Sequence, residues 1–266
     1  MSIDDTAPRP AACSACRDGT PLAFDFSMAF QPIVDMTTMR AWAYEALIRG
    51  TEGAGAASVL AQVSPENRYA FDQRCRVVAI EKAVAAGLLA DGAKLSINFL
   101  PDAVYSPKAC IQLTLRTAAG SGFPTDRLMF EFTENEKMND PAHVMNIVGT
   151  YQQMGFTTAL DDFGAGHSGL NLLARFRPDV IKLDMELIRG IDTSMPRRMI
   201  VEAVVRMCAQ MGVTVIAEGV ETRGELDSLR RLGIHLVQGY LLARPAFEAL
   251  PALSMERPAA SLRAAG

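Results

Sequence analysis

The fold of this chain is best approached through Phe156 to Leu170, which reads FTTALDDFGAGHSGL. An apolar run ends there in two adjacent aspartates, Asp161 and Asp162, and a glycine-broken loop follows. This pattern is typical of a buried strand that carries polar side chains at its carboxyl end. The two like charges repel each other unless a cation or a basic side chain lies between them. The dipeptide alone also fits a surface turn with two solvated carboxylates, so the rest of the chain must decide.

Composition limits the class of protein. The chain has 266 residues, 49% apolar content and a formal charge of -4, which fits one domain of α/β-barrel size or two small ones. The acidic balance argues against binding polymeric nucleic acid. Charged residues interrupt the longest apolar region, Met199 to Val220, so no membrane span is expected. Five cysteines, an odd number without a dense framework, favour a reducing cytosol, and we expect a cytoplasmic protein.

The ends of the chain differ in composition from its middle. Residues 1–20 and 254–266 are rich in alanine, proline and small polar types, and we expect flexible tails there. No linker divides residues 21–253, which we predict to be one domain. The first tail contains Cys13-x-x-Cys16. This pair is either a redox switch, half of a metal knuckle completed by a second chain, or a stray pair without a function.

Short apolar runs alternate with longer segments of helical periodicity in the middle of the chain. The predicted strands are Ala23–Val34, Arg40–Ile48, Lys94–Phe99, Leu128–Thr133, Thr157–Asp162, Val180–Asp184, Val213–Glu218 and Leu236–Gly239. The predicted helices are Tyr69–Leu89, Pro101–Thr117, Pro141–Met154, Ser168–Phe176, Pro196–Met211 and Thr222–Leu232.

This alternation predicts an α/β fold, a TIM-like (βα)8 barrel, with an open doubly wound sheet as the alternative. The connection Asp35–Met39 is too short for a helical crossover, so the first two strands should be antiparallel. Glycines stand just before three of the later strands, where a left-handed helix cap is expected: Gly155, Gly212 and Gly233.

Polar residues recur late in these strands, where the carboxyl ends of a barrel converge on one face. They are Glu45, Asn98, Glu131, Asp161, Asp162, Lys182, Asp184, Glu218 and Gln238. One buried acid can be an isolated core residue that has a partner. The same pattern on seven strands is hard to explain in that way, because unpaired buried charges are costly.

The types of side chain indicate the chemistry. Five of them offer hard oxygen donors that suit Mg²⁺ or Mn²⁺ and not Zn²⁺: Glu45, Asn98, Glu131, Asp161 and Asp162. A central Asp161 can bridge two ions about 4 Å apart, the spacing of two-metal phosphoester hydrolysis. Lys182 can hold the attacking water or stabilise charge on the phosphate, and Glu218 can accept a proton. Arg49 shares a strand face with Glu45 and suits a phosphate clamp.

The ordered motifs are similar to those of one family. They are Gln31-Pro32-Ile33-Val34, Glu45-Ala46-Leu47-Ile48-Arg49, Asn98 in SINFL, Glu131-Phe132-Thr133-Glu134, Asp161-Asp162-Phe163-Gly164, Lys182-Leu183-Asp184, Ala217-Glu218-Gly219-Val220-Glu221 and Gln238-Gly239-Tyr240. From Phe30 onward the chain resembles the EAL-domain family, the bacterial cyclic di-GMP phosphodiesterases. The tripeptide alone carries no weight, whereas eight motifs in order are specific.

The resemblance implies a TIM barrel with one antiparallel strand that hydrolyses cyclic di-GMP to linear pGpG. It implies a first metal ion on Glu45, Asn98, Glu131 and Asp161, and a second on Asp161 and Asp162. It also implies that Lys182 and Glu218 act on the nucleophilic water, and that Glu134 steadies the DDFG loop as part of the catalytic set. Positions that match substrate contacts are Gln31, Leu47, Arg49, Asp72, Glu221 and Gln238.

Departures from the family pattern are few. His167 stands where tyrosine is more common, and Leu242-Ala243 replaces a common Phe-Gly pair. All the metal ligands are kept, which favours an active enzyme. The alternative is a regulator that binds cyclic di-GMP or a protein partner without hydrolysis.

Two expectations concern partners. No sensory domain is recognisable in the sequence, so an input signal would come through the tail, a second copy of the chain or a separate sensory protein. The helix Pro196–Met211 has more apolar residues than one inner stripe requires, which predicts a homodimer. The alternative is a well-buried outer helix of a monomer.

Overall fold

The strands close into a barrel in the computed structural model of this chain, which describes residues 22–133, 141–166 and 169–254. Cys13, Cys16, Glu134 and His167 lie outside the described residues, as do the tail 1–20 and most of the tail 254–266. The strands are β1 Ser27–Asp35, β2 Arg40–Arg49, β3 Lys94–Asn98, β4 Leu128–Thr133, β5 Thr157–Phe163, β6 Val180–Leu183, β7 Thr214–Ala217, β8 Leu236–Val237 and β9 Ala246–Phe247.

The strand order confirms the predicted barrel. Strands β2 to β8 follow one another as parallel neighbours, and β1 closes the ring between β8 and β2. β1 is antiparallel to both neighbours, and Gln31 lies opposite Glu45 in its pairing with β2. The short β9 pairs with the free part of β1 at Ala29 and Phe30. The antiparallel first pair was correctly predicted from the five-residue connection.

Helices surround the barrel. They are α1 Ala56–Leu60, α2 Arg68–Ala85, α3 Leu88–Asp91, α4 Pro107–Cys110, α5 Gln112–Ser121, α6 Pro141–Gln153, α7 Gly169–Leu173, α8 Met185–Ile188, α9 Met195–Met211 and α10 Arg223–Arg231. Two 3₁₀ turns add Pro101–Ala103 and Thr125–Arg127. Among the helices of the described ranges, none has both the length and the hydropathy needed to cross a membrane. The predicted helix-capping glycines do have left-handed backbones, as Gly212 at the end of α9 illustrates with a φ of 68°.

Two helix predictions were wrong as single helices. The segment Pro101–Thr117 divides into a 3₁₀ turn, α4 and the start of α5, because Ser106 precedes a proline and takes an extended backbone. The segment Tyr69–Leu89 divides at Gly87, whose φ of 93° ends α2 before α3 begins. The first strand begins at Ser27, four residues after its predicted start at Ala23.

Within the described ranges, the predictions missed α1, α8, β9 and the 3₁₀ turn Thr125–Arg127. Each has too few residues to show a hydrophobic period. The remaining strands and helices agree with their predicted positions to within a residue or two at most of the described ends. Two exceptions are α7, which ends at Leu173 and not at the predicted Phe176, and β8, which ends at Val237 and not at the predicted Gly239.

Side-chain alternation along the strands separates two layers. On β4, Phe130 and Phe132 face outward to the helices, and Phe130 packs its ring 5.0 Å from that of Tyr151 on α6. Met129 and Glu131 face the opposite way, into the barrel. Six buried apolar residues form a separate inner cluster: Ile33, Ala43, Met129, Ala159, Val180 and Ile216. This apolar floor fills the amino half of the barrel and leaves the carboxyl half to polar side chains.

Candidate metal centre and substrate face

The predicted site residues converge at the carboxyl face of the barrel. Glu45, Asn98 and Glu131 come from three successive strands, and Asn98 is the register partner of Glu131. Asp161 and Lys182 continue the series on β5 and β6. Glu218 directly follows β7, where its backbone N–H donates to the Leu183 carbonyl at 3.1 Å. One polar residue from each of six strands therefore enters the same small volume.

The Lys182 ammonium lies at the centre of this volume. Its Nζ is 2.7 Å from Glu218 Oε1, 2.9 Å from Glu131 Oε2 and 3.2 Å from Asp161 Oδ1. A fourth carboxylate, Glu45, places Oε2 3.4 Å away. Lys182 and Glu131 are completely buried. Because a buried charge without a partner is strongly unfavourable, the ammonium and the carboxylates stabilise one another.

Amide side chains complete the surroundings of Glu45. Asn98 Nδ2 donates to Glu45 Oε1 at 3.0 Å, and Gln238 Nε2 donates to Glu45 Oε2 at 2.7 Å. Gln238 Nε2 also reaches Gln31 Oε1 at 3.2 Å, and Gln31 in turn donates to the carbonyl of Ala243 at 3.2 Å. This chain of hydrogen bonds holds Glu45 in one orientation and connects it to the segment after β8.

Burial and neighbouring charges shift the pKa values of the side chains in the site. Burial raises the pKa of Glu131 to about 8, although the nearby Lys182 charge opposes this effect. Burial also raises the pKa of Glu218 well above its usual value. Burial alone would also raise the pKa of Glu45. The Lys182 charge and the hydrogen bonds from Gln238 and Asn98 outweigh burial, so the pKa of Glu45 is lowered. Burial alone would lower the pKa of Lys182, yet the surrounding carboxylates raise it well above its usual value, and the ammonium keeps its charge.

The two adjacent aspartates differ. Asp161 is buried and accepts the backbone N–H of Asp162 on Oδ1 at 2.9 Å. Asp162 has a φ of 54°, a left-handed backbone that few residues other than glycine, asparagine and aspartate adopt easily. Burial raises the pKa of Asp162 to about 6, and the neighbouring Asp161 charge adds to the effect. Strand alternation would place the side chains of Asp161 and Asp162 on opposite faces of the sheet. The left-handed backbone of Asp162 departs from this alternation, so both carboxylates can face the site.

The donors present fit a hard divalent cation. Two groups of carboxylates have ligand atoms within 4.8 Å of one another, namely Glu45 with Glu131 and Asp161, and Asp161 with Asp162 and Glu218. Asp161 belongs to both groups. Within the described residues, Glu131 Oε1 is buried without a hydrogen-bond partner. An oxygen-only donor set with an unsatisfied buried carboxylate oxygen suits Mg²⁺ or Mn²⁺.

The predicted substrate contacts lie around this centre with unequal access. Leu47 and Arg49 continue the Glu45 face of β2, and the Arg49 guanidinium donates to the Ile48 carbonyl at 2.7 Å. Glu221 lies at an exposed position and pairs with Arg189 at 3.4 Å. Asp72 differs from the others, because it is buried on α2 and forms an ion pair with Arg76. Glu134 cannot be placed, since it lies outside the described residues.

Several residues at or near the site were not predicted, and the role of one predicted residue was incomplete. Ser96 is fully buried and is the register partner of Glu45, and strand alternation two residues before Asn98 could have indicated it. Glu218 was predicted as a proton acceptor, and its geometry also makes it a candidate ligand. Arg76 and Arg189 carry no motif, so nothing in the sequence marked them.

Proton competition gives a test of the metal centre. The raised pKa values mean that Asp162 and Glu131 hold protons near pH 6, and a cation must displace these protons to bind. Raising the pH through about 6 and then about 8 removes the competing protons, so Mn²⁺ should bind about tenfold or more tightly at pH 8 than at pH 6. Electron paramagnetic resonance of free Mn²⁺ measures this affinity. The variant Asp162→Asn should lose the lower part of the dependence, and equal affinity of the unchanged protein at both pH values would contradict the assignment.

Comparison with known proteins agrees with this geometry. The family model described as the EAL domain matches residues 20–245. The blue light- and temperature-regulated antirepressor BluF of Escherichia coli (strain K12) is 32% identical over 227 residues, which are 85% of this chain and 56% of BluF. The probable cyclic di-GMP phosphodiesterase PdeN of the same organism is 29% identical over 83% of this chain and 43% of its own length. The chain thus spans about half the length of these relatives.

Solved structures show the same fold. A standalone versatile EAL protein from Vibrio cholerae O395, in its c-di-GMP-bound form, is 47% identical with a TM-score of 0.84, over 88% of this chain and 97% of that one. Klebsiella pneumoniae BlrP1, in a manganese and cyclic di-GMP complex, is 36% identical with a TM-score of 0.78, over 86% of this chain and 58% of that one. From the family match, the barrel and the acidic centre together, the chain belongs to the EAL domain family.

Proposed function

We propose that this chain hydrolyses one phosphodiester bond of cyclic di-GMP to give linear pGpG, in a reaction that requires Mg²⁺ or Mn²⁺. The observation that carries the proposal is the pair of carboxylate groups that share Asp161 around the buried Lys182 ammonium. Relatives named as cyclic di-GMP phosphodiesterases and neighbours with bound cyclic di-GMP support the choice of substrate.

Two divalent cations are proposed, and each has its own donors. Glu45, Asn98, Glu131 and Asp161 would hold the first, and Asp161 with Asp162 the second. Glu218 is close enough to the second pair to join it. When bound, such ions polarise a phosphoryl oxygen and make water a stronger nucleophile at neutral pH.

Lys182 and Glu218 are the residues proposed to act on the attacking water. Their side chains form the shortest ion pair at the centre, 2.7 Å between Nζ and Oε1. Burial raises the pKa of Glu218 well above its usual value, which makes its carboxylate a stronger proton acceptor. The Lys182 ammonium keeps its charge and can orient the water or stabilise negative charge that develops on the phosphate. Glu134 is proposed to steady the loop after Asp162.

The substrate would enter from the carboxyl face. Arg49 ends β2 at the rim, where its guanidinium can bind a phosphate oxygen in place of the Ile48 carbonyl. Gln31 and Gln238 lie beside Glu45 and offer amide groups to the nucleotide. Leu47 adds apolar contact between Glu45 and Arg49 on the same strand face. Glu221 reaches the mouth from the segment after β7, and the assignment of Asp72 is reconsidered below.

A non-hydrolytic regulator is the alternative function. The relative BluF is named as an antirepressor, which is a regulatory protein. Under this alternative the same face would bind cyclic di-GMP or a protein partner, and no bond would be cleaved. A separate sensory partner protein that delivers the input signal is compatible with both functions, and the cytoplasmic location remains a prediction.

Turnover decides between these functions. Incubation of the chain with cyclic di-GMP and Mg²⁺ or Mn²⁺, followed by nucleotide separation, should yield pGpG, and excess chelator should stop the reaction. Glu45→Ala should abolish turnover because it deletes a ligand that two amides hold in place. Glu81→Ala, which removes an exposed carboxylate on α2, is the matched control and should stay active. Binding of cyclic di-GMP without turnover under either metal would assign the regulatory function instead.

The role of Lys182 can be separated from substrate binding. In saturating Mn²⁺, Lys182→Ala should lower kcat about a hundredfold or more and change KM little, because the ammonium acts at the attacking water. Steady-state kinetics of the purified variant provide the measurement, with the exposed Lys108→Ala as the control. A variant with normal kcat and a raised KM would show that Lys182 binds substrate instead.

A homodimer is also proposed, on a smaller surface than the sequence indicated. Val204 and Cys208 of α9 are buried in the core, and Val205, Met207 and Met211 pack against it. The exposed apolar side chains lie at the start of the helix: Met195 at 65%, Met199 at 64% and Ile200 at 49% exposure. This cluster favours contact with a second copy of the chain.

The dimer surface predicts the effect of one charge. Met199→Glu should shift the chain to a monomer in light scattering at micromolar concentrations, because a carboxylate would be buried in the contact. Glu81→Lys, a charge reversal at an exposed position on α2, is the control. A chain that is monomeric and fully active without any substitution would remove both the dimer and a role for it in regulation.

A further inference from the structure

Helix α2 buries a charged pair beneath the carboxyl face. Asp72 and Arg76 are one turn apart, and their exposed fractions are 2% and 0%. Arg76 Nη2 lies 2.5 Å from Asp72 Oδ2. Apolar residues of similar volume can often replace a buried pair without loss of stability, so the contacts of this pair are the guide to its role.

The surroundings of Arg76 fix its guanidinium in place. Its Nη1 donates to the Tyr151 hydroxyl at 3.0 Å. The rings of Phe99 and Phe130 lie 5.6 and 5.7 Å from its central carbon. Arg76 therefore joins α2 to the outer face of β4, to the residue after β3 and to α6, and it has no exposed surface with which to touch a substrate.

Asp72 connects this anchor to the chain after β3. Its second oxygen, Oδ1, accepts the backbone N–H of Leu100 at 2.9 Å. Leu100 stands two residues after Asn98, and Phe99 between them donates its own N–H to the Glu131 carbonyl at 3.0 Å. The backbone at the end of β3 is thus held at two successive residues. The Glu131 carbonyl binds the N–H of Phe99, and the Asp72 carboxylate binds the N–H of Leu100.

Asn98 is the residue that this arrangement fixes. Its side chain faces inward, opposite in direction to Phe99, and donates to Glu45 at 3.0 Å. A backbone shift at Leu100 would move Asn98 and break its hydrogen bond to Glu45 Oε1. Asn98 and Glu45 are proposed metal ligands from neighbouring strands. Both oxygens of Asp72 are already engaged inside the protein, one by Arg76 and one by Leu100.

We propose that Asp72 and Arg76 are a positioning pair, which fixes the chain after β3 and so holds Asn98 and Glu45 in the geometry that binds metal. Asp72 then acts through Leu100 and does not touch the nucleotide, in contrast to the substrate contact that the family resemblance implies. The expected effect of the pair on metal binding rests on the proposed metal centre. Its effect on the backbone after β3 does not.

The experiment compares variants of the full chain at a temperature where all are folded. Asp72→Asn and Arg76→Gln each break the charge pair, and the double variant removes both charges. Asp179→Asn is the matched control, because Asp179 accepts the Thr158 N–H and hydroxyl, each at 2.8 Å, at the amino end of the barrel. The readouts are amide hydrogen exchange of residues 98–104, Mn²⁺ affinity by electron paramagnetic resonance, and KM for cyclic di-GMP.

We expect both single variants to lose exchange protection at residues 98–104 and to bind Mn²⁺ about tenfold more weakly, the usual size of effect for a group that orients a ligand. Asp179→Asn should lower the melting temperature without either change. The double variant should recover part of the melting temperature lost by the single variants, because it leaves no unpaired buried charge. If a single variant does not fold, Arg76→Lys keeps the charge and should show the same changes at smaller size.

Two results would overturn the proposal. Asp72→Asn with a raised KM but unchanged exchange and Mn²⁺ affinity would make Asp72 a substrate contact. Single variants that behave like Asp179→Asn would give the pair a role in stability only. Hydrogen exchange needs neither metal nor substrate, so a chain without phosphodiesterase activity would refute the proposed function and still leave the positioning pair open to confirmation or refutation.

Discussion

The acidic side chains at the carboxyl face are held close together by their attraction to one buried ammonium. Four acidic side chains within 3.4 Å of Lys182 Nζ would otherwise repel one another in a medium with little water to screen them. The apolar floor below them excludes water, which makes both the repulsion and the compensation stronger. The same carboxylates therefore stabilise the buried Lys182 charge and serve as candidate metal ligands. A cation that binds there must share them with Lys182.

Much of this arrangement could be predicted, for reasons that individual residues make clear. Glu45, Asn98 and Glu131 stand late in apolar strands, and a barrel brings such positions together whatever the details of its loops. The antiparallel β1 followed from the length of one connection. Each of these inferences needs only strand order and the two-residue period of a strand.

Other features depend on distances that no sequence period encodes. Asp72 lies in a helical segment with the charge spacing of any surface helix, and only the packing of α2 against Phe99 and Phe130 shows that it is buried with Arg76. The sequence identifies the apolar residues of α9. Which of them face the core and which face the solvent depends on the rotation of the helix about its axis. The short elements α8 and β9 have too few residues for any pattern.

The direction of β1 decides at which face the described chain approaches and leaves the barrel. Ser27 pairs with Arg49, so the chain enters the barrel at the rim of the carboxyl face and runs toward the far end. After β8 the chain returns along β1 to pair at Ala29 and Phe30, close to the same rim. In a barrel with eight parallel strands, the first strand would start at the opposite end. Here Ser27 and Phe247 both lie on the side of the acidic centre, so the described chain approaches β1 and leaves β9 at the same face.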